Sequence, residues 1–513
     1  MTWWKFCGRR RRKTQKPGLR RVLIEILAKD LPKSRWAGVL TLSGVSPSSR
    51  SMGRYQQKMV KRILTAKISF EEQREGLGFM QLISKTYWGG APMNMRRLPE
   101  SFEIESLILN APDFREHRAL YWTPRKNPKP KTAIVVMHPR ADFTHHYVIP
   151  RLVDAGVACL AANTRNPNND VTTIHEEVIL DVASCVSYLK NKRGIQNVVL
   201  VGNSGGGALN GYFQAQAKRA KGQRIAKTPG GRRTHLNESE MIPADGLVHI
   251  STHKGEGMIM NEIIDPSVVD EVQVHLTDPS LDMYDERNGF ITPSRIDGSD
   301  AKWVSYDAGF VSRFREAQLA RVRRIDTIAR AMIAENERAE ALHNDPDFAK
   351  LAPFRQREVL QREAFEPVMT IYRTMANLHY VDNYLDPSAR DYGSIFSSRP
   401  DLMNWKFFGF GRYATPHAWL STWSGVSSHA NQLRDLPQIS EPSLFINAGK
   451  DQEIFPGTDA IPMFNAMAAK DKTYVDFPMA RHYFEPEFGA REAPDVEKVM
   501  NVVVPWIVER FGI

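Results

Sequence analysis

The chain has 513 residues, 42% hydrophobic and 25% charged, enough for one large core with an insertion or for two to three domains. Its three cysteines (Cys7, Cys159, Cys185) are too few for a disulfide framework and lack zinc-ligand spacing, and no apolar run reaches the roughly 18 residues of a membrane span. The net charge of +11 does not mark a nucleic-acid-binding body: residues 1–51 hold 13 Lys/Arg against only Glu25 and Asp30, and the remainder is balanced.

Residues 1–51 are expected to form a basic, disordered leader. They contain Arg9-Arg10-Arg11-Arg12-Lys13, and their apolar patch, Val22 to Leu27, is interrupted by Glu25. A secretory signal needs an apolar stretch of about 7–15 residues and a small-residue cleavage site, so this is not one. Three readings stand: a nonessential tail, a targeting or membrane-surface segment, or a true start at Met52 after GVSPSSRS. The tail is preferred because charge runs are usually solvated. A cytoplasmic protein is the plain inference.

Residues 52–252 are read as a helical extension followed by the first part of an α/β core. Glu103–Asn110 and Arg118–Thr123 alternate apolar and polar residues, as paired strands at a sheet edge do. Ala133–Met137, Val157–Ala162 and Val198–Val201 are continuous apolar runs, as expected of strands buried on both faces. Helical stretches lie around 146–156 and 171–191, the second with Ile179, Val182, Val186 and Leu189 at helical spacing. A further strand follows at Gly246–Ser251. Alternation of this kind predicts a mostly parallel central sheet flanked by helices.

Residues 253–436 are expected to be a helical cap inserted between the sixth and seventh core strands. They contain long amphipathic patterns at 310–347 and 356–377, then an aromatic run: Trp405, Phe407, Phe408, Phe410, Tyr413, Trp419 and Trp423. Residues 437–513 complete the core with strands Ser443–Ala448 and Thr473–Phe477 and a last helix around 492–510.

The stretch VVLVGNSGG, residues 198–206, carries the chemistry. A strand, a serine between glycines and a following helix make a nucleophile elbow, in which a flanking side chain would clash with neighbouring backbone. A serine hydroxyl needs a base, and the base needs an orienting acid. Asp451 follows the strand Ser443–Ala448, and His482 follows the last strand. Parallel strands release their carboxyl ends on one edge, so Ser204, Asp451 and His482 can converge. An oxyanion hole would draw on the amide of Gly205 and, since Pro139 has no N–H, on that of Arg140 or Ala141, with Arg140 preferred.

These motifs, GNSGG at 202–206, HPR at 138–140, GKDQEIFP at 449–456 and ARHYFEP at 480–486, resemble those of serine-nucleophile α/β-hydrolases over about 103–252 and 437–513. The resemblance implies Ser204 as nucleophile, His482 as base and Asp451 as acid. It departs at His138-Pro139, where many members have His-Gly, and at Asn203, where histidine is frequent. Substrate-pocket candidates are His138, His145, Trp419 and Trp423; the adjacent His145-His146 pair is assigned to packing or pocket lining rather than to a metal. The basic stretch 218–235 is read as a solvated loop, and Asn163-Thr164-Arg165 as a pocket edge.

The function expected is that of a carboxylic ester hydrolase for a small-molecule substrate with a bulky apolar or aromatic group, needing no cofactor and no metal. Amidase, peptidase, thioesterase or C–C bond cleavage by the same triad are rivals, as is a catalytically silent binding protein.

Overall fold

The continuous apolar runs of the sequence become the centre of an eight-stranded sheet. The computed structural model describes residues 95, 97–486 and 492–513; the basic leader, Met52 and the segment before residue 95 that was expected to be helical lie outside the described residues. In chain order the first strands are β1 (Phe102–Asn110), β2 (Glu116–Pro124), β3 (Thr132–Val136), β4 (Ala158–Ala162), β5 (Asn197–Asn203) and β6 (Gly246–Ile250). After a long intervening segment come β9 (Ser443–Ala448) and β10 (Lys472–Phe477). The order across the sheet is β1-β2-β4-β3-β5-β6-β9-β10. β2 pairs antiparallel with both β1 and β4, and every other pairing is parallel.

Position in the sheet explains the sequence patterns. β3, β4, β6 and β9 are buried at every residue, as strands covered on both faces must be, whereas β1 at the edge is largely exposed. Successive side chains point to opposite faces, so each strand feeds two cores. Ile134, Val136, Val199 and Val201 meet α1 (Ile149–Ala155) and α7 (Pro494–Phe511) through Leu152, Val503 and Ile507. Ala133, Val135, Val198 and Leu200 meet α2 (His175–Ser187) and α3 (Gly205–Lys218) through Ile179, Val182 and Phe213. The helical spacing of Ile179, Val182, Val186 and Leu189 is therefore the core stripe of α2 and the turn after it.

Between β6 and β9 lie α4 (Glu256–Ile263), α5 (Ala308–His343), α6 (Pro353–Glu363) and a short ladder of β7 (Met369–Thr370) with β8 (Tyr413–Ala414). This segment has a hydrophobic cluster of its own, running from Met260 to Trp423 and including Phe310, Phe314 and Ile325 of α5. The side chain of Asp307 caps α5 by accepting from the amides of Gly309 (2.9 Å) and Phe310 (3.2 Å). The helix expected over 356–377 stops at Glu363. Pro367 offers no N–H and disfavours helical backbone at Glu366, so the chain turns into β7 instead. Much of 364–435 is irregular, so the segment is less helical than its periodicity suggests.

The basic stretch 218–235 is mostly exposed, as a solvated loop would be, with one buried anchor, and the reading of Arg165 changes. The anchor is Arg224, whose buried guanidinium donates to the carbonyls of Leu236 (2.9 Å) and Ser239 (2.8 Å). Arg165 pairs with Asp113 and Asp181 and does not line the cavity that holds Ser204.

Candidate active site

At the carboxyl end of β5 the chain passes through Ser204 directly into α3. Ser204 adopts φ 56° and ψ −128°, backbone that a non-glycine residue avoids unless its surroundings impose it. The imposing contacts are specific. The Ser204 amide donates to the Ile250 carbonyl at 3.0 Å, and Thr252 Oγ1 donates to the Ser204 carbonyl at 3.0 Å. The turn also closes too tightly for side chains beside it. A Cβ on Gly202 would stand 2.4 Å from the Gly207 nitrogen, and one on Gly206 would stand 2.4 Å from the Met137 oxygen. Both obstacles are backbone, so glycine is required there.

β9 and β10 run parallel to β5, and the loops after them open on the same edge. Asp451 follows β9, and its Oδ1 accepts the amides of Glu453 (2.8 Å) and Ile454 (3.1 Å). Those bonds aim Oδ2 at His482, whose Nδ1–H donates to it at 2.6 Å. The pair is buried, with Asp451 1% and His482 3% exposed, so the attraction is little screened. Burial alone would lower the imidazole pKa. The charge and hydrogen bond of Asp451, with Glu485 and Glu453 nearby, overcome that and leave it raised above its ordinary value. With Nδ1 carrying the proton, neutral His482 keeps a basic lone pair on Nε2.

Ser204 and His482 line one narrow cavity. Its other polar walls are Arg140, His253, Glu256 and Glu453, and its apolar walls are Ile259, Ile395, Ile454, Phe410 and Trp423. The Arg140 guanidinium lies 4.7 Å from the Trp423 ring centroid and 3.2 Å from Asp170 Oδ1. Burial opposes the charge of Glu256. His175 (Nε2 to Oε2, 3.2 Å), His253 and Arg140 outweigh it and hold the carboxyl below its usual range. Glu453 is the converse case: burial pushes it up to about 8, although Tyr380 O–H donates to Oε2 at 2.7 Å.

Three sequence assignments need correction. The amide of Arg140 donates to His138 Nδ1 (3.1 Å), as does that of Ala141 (2.8 Å), so both are committed within their own loop. Arg140 contributes its side chain to the cavity instead. Trp419 is a core residue: its indole N–H donates to Asp326 Oδ1 at 2.7 Å, and it does not line the cavity. His145 is exposed and packs edge-on to Trp122, also away from the cavity. Trp423 does line it, and His138 is buried just beneath the lining, against Gly205. Asn203 sits under the elbow, its Oδ1 accepting from Tyr147 O–H at 3.1 Å.

His253 and Glu256 were missed by motif reading. They follow β6 as Asp451 follows β9, so position at the carboxyl edge of the sheet was the available signal. Phe410 reads in the sequence only as one aromatic among several.

The strand order, the single reversed strand β2 and a serine at the β5–α3 turn are those of the α/β-hydrolase fold. No family model and no curated protein matches the chain. Solved structures similar to it include the esterase domain of a Rhodothermus marinus protein, with 11% identity, 79% of this chain and 98% of that chain covered, and a TM-score of 0.36. Est1E from Butyrivibrio proteoclasticus has 11% identity over 79% and 98% of the two chains, with a TM-score of 0.38. The acylaminoacyl peptidase of Pyrococcus horikoshii has 10% identity over 80% of this chain and 42% of its own, with a TM-score of 0.37.

Proposed function

We propose that this chain is a serine hydrolase that cleaves small carboxylic esters through an acyl-enzyme. The observation that carries the reading is one cavity holding a serine in imposed elbow backbone and a histidine locked by a 2.6 Å bond to a buried aspartate. Ser204 Oγ attacks the carbonyl carbon while His482 Nε2 takes its proton. His482 then protonates the leaving alkoxide, and water, activated by the same imidazole, releases the acid. Asp451 holds the imidazole tautomer throughout and stabilises the imidazolium. The strain at Ser204 argues against a silent binding scaffold, because strained backbone is kept where a reacting group must be presented.

The walls support an apolar or aromatic group on the substrate, since Phe410, Trp423, Ile259, Ile395 and Ile454 line the same cavity as the serine. All but Ile454 come from residues 253–436, which supports reading that insertion as a cap that shapes the substrate site. Labelling of Ser204 by a fluorophosphonate, and hydrolysis of p-nitrophenyl acyl esters lost in Ser204→Ala, are the expected results. Ester hydrolysis that survives Ser204→Ala would overturn the serine mechanism. Activity confined to amides or β-diketones would overturn the ester assignment alone.

A further inference from the structure

An acyl transfer of this kind needs at least two hydrogen-bond donors on the carbonyl oxygen as it becomes an oxyanion. The Gly205 amide opens α3, where no intrahelical carbonyl can accept it, and it follows the nucleophile directly. The loop after β3 would ordinarily offer the second donor from its backbone. Here Pro139 has no N–H, and the amides of Arg140 and Ala141 both point into His138 Nδ1.

We propose, building on the serine-hydrolase reading, that the His138 side chain supplies the second donor through its Nε2–H. The two loop amides make Nδ1 an acceptor, which places the imidazole proton on Nε2. That Nε2 is buried and has no hydrogen-bond partner among the described residues. A buried donor left unpaired is costly unless something else meets it. Its position indicates what. A Cβ on Gly205 would stand 2.9 Å from His138 Nε2. The nitrogen and Cβ of one residue are about 2.5 Å apart, so the two donors lie within about 5.4 Å of each other. One oxygen accepting both at about 2.9 Å can span up to about 5.8 Å.

Two other polar groups stand around the same point. His253 Nε2, 3.1 Å from that Cβ position, stands 3.7 Å from Glu256 Oε1, beyond hydrogen-bond distance but within the pull of its charge. Glu256 Oε1, at 2.8 Å, can only accept, and its charge opposes an oxyanion; the Arg140 guanidinium in the same cavity offsets it. His138 is fit to donate in another respect. Burial and the Arg140 charge keep its imidazole neutral, so the donor does not titrate at working pH. In the step it serves, the Ser204 Oγ–carbon bond forms, the carbonyl π pair moves onto oxygen, and the serine proton passes to His482 Nε2. The oxygen then accepts from Gly205 N–H and His138 Nε2–H.

Two substitutions separate donation from loop support. His138→Asn places an acceptor near Nδ1 for the loop amides but cannot reach Gly205. His138→Gln reaches with an N–H but leaves the loop amides unmet. With p-nitrophenyl butyrate, His138→Asn should lower kcat by about 10²–10³-fold with KM changed less than about threefold, and His138→Gln should recover at least about tenfold of that. Fluorophosphonate labelling of Ser204 should slow in parallel, because the phosphonyl oxygen occupies the same hole. If wild type labels and His138→Asn keeps both rates within about threefold, the assignment to His138 is wrong. Rescue by Asn but not Gln would likewise reduce His138 to a loop support. A wild type that neither labels nor hydrolyses the ester removes the serine-hydrolase reading, and this inference with it.

Discussion

Glu453 should make the stability of the protein depend on pH in a direction opposite to that of an ordinary paired carboxylate. Its carboxyl is buried beside Asp451, whose negative charge discourages a second one, and burial is the larger cause of a pKa pushed up to about 8. A carboxyl with a raised folded-state pKa keeps its proton in the native state after the unfolded chain has lost it. The native state is therefore unpenalised below 4.5, loses stability as pH rises, and levels off above about 8. At about 1.36 kcal/mol per unit, the full penalty approaches about 4–5 kcal/mol. Glutamine keeps the shape and an acceptor for Tyr380 but has nothing to ionise. The stability of Glu453→Gln relative to wild type, from urea unfolding, should rise by about 4 kcal/mol between pH 5 and pH 9. A difference that stays constant within about 1 kcal/mol over that range would show that Glu453 ionises as easily folded as unfolded. The burial argument would then fail.

Asp451→Asn should fold normally yet lower kcat by about 10⁴-fold with little change in KM, because the imidazole loses its tautomer lock. In wild type, the acid limb of kcat/KM should have its midpoint above the ordinary imidazole value, since only neutral His482 is a base and its pKa is raised. A midpoint well below that value would contradict the His482–Asp451 coupling. The two tryptophans should separate by assay. Trp423→Ala should raise KM for bulky aromatic esters by about tenfold through lost burial and stacking. Trp419→Phe should leave KM unchanged and cost about 1–3 kcal/mol of stability, because Asp326 loses one of three hydrogen-bond donors.

The sheet was legible in the sequence because its strands are buried on both faces and so cannot hide their composition. Ser443–Ala448 is found with the same bounds, and the other core strands are displaced by a residue or two. The insertion was less legible. Phe410, Trp419 and Trp423 belong to one aromatic run and have two fates: Phe410 and Trp423 are cavity walls against the Arg140 guanidinium, and Trp419 is a core residue bonded to Asp326. Nothing in the spacing of those aromatics distinguishes them, since the distinction is made by α5, about a hundred residues earlier in the chain, which brings Asp326 to Trp419 and not to Trp423.

The same limit separates the proposed triad from the proposed oxyanion donors. Ser204, Asp451 and His482 are placed by topology, because a strand end fixes a residue to within a few ångströms whatever the neighbouring side chains do. An oxyanion donor is placed by the direction of one N–H bond, and direction depends on whichever acceptor is nearest. At the loop after β3 that acceptor is the chain's own imidazole, 2.8 Å from the Ala141 amide. Once His138 Nδ1 takes both amides, the proposed second donor cannot come from this loop's backbone; it moves through the ring to Nε2. Proline at 139 and histidine at 138 thus act together in this proposal. The first removes an amide, and the second redirects the remaining two while presenting a donor of its own.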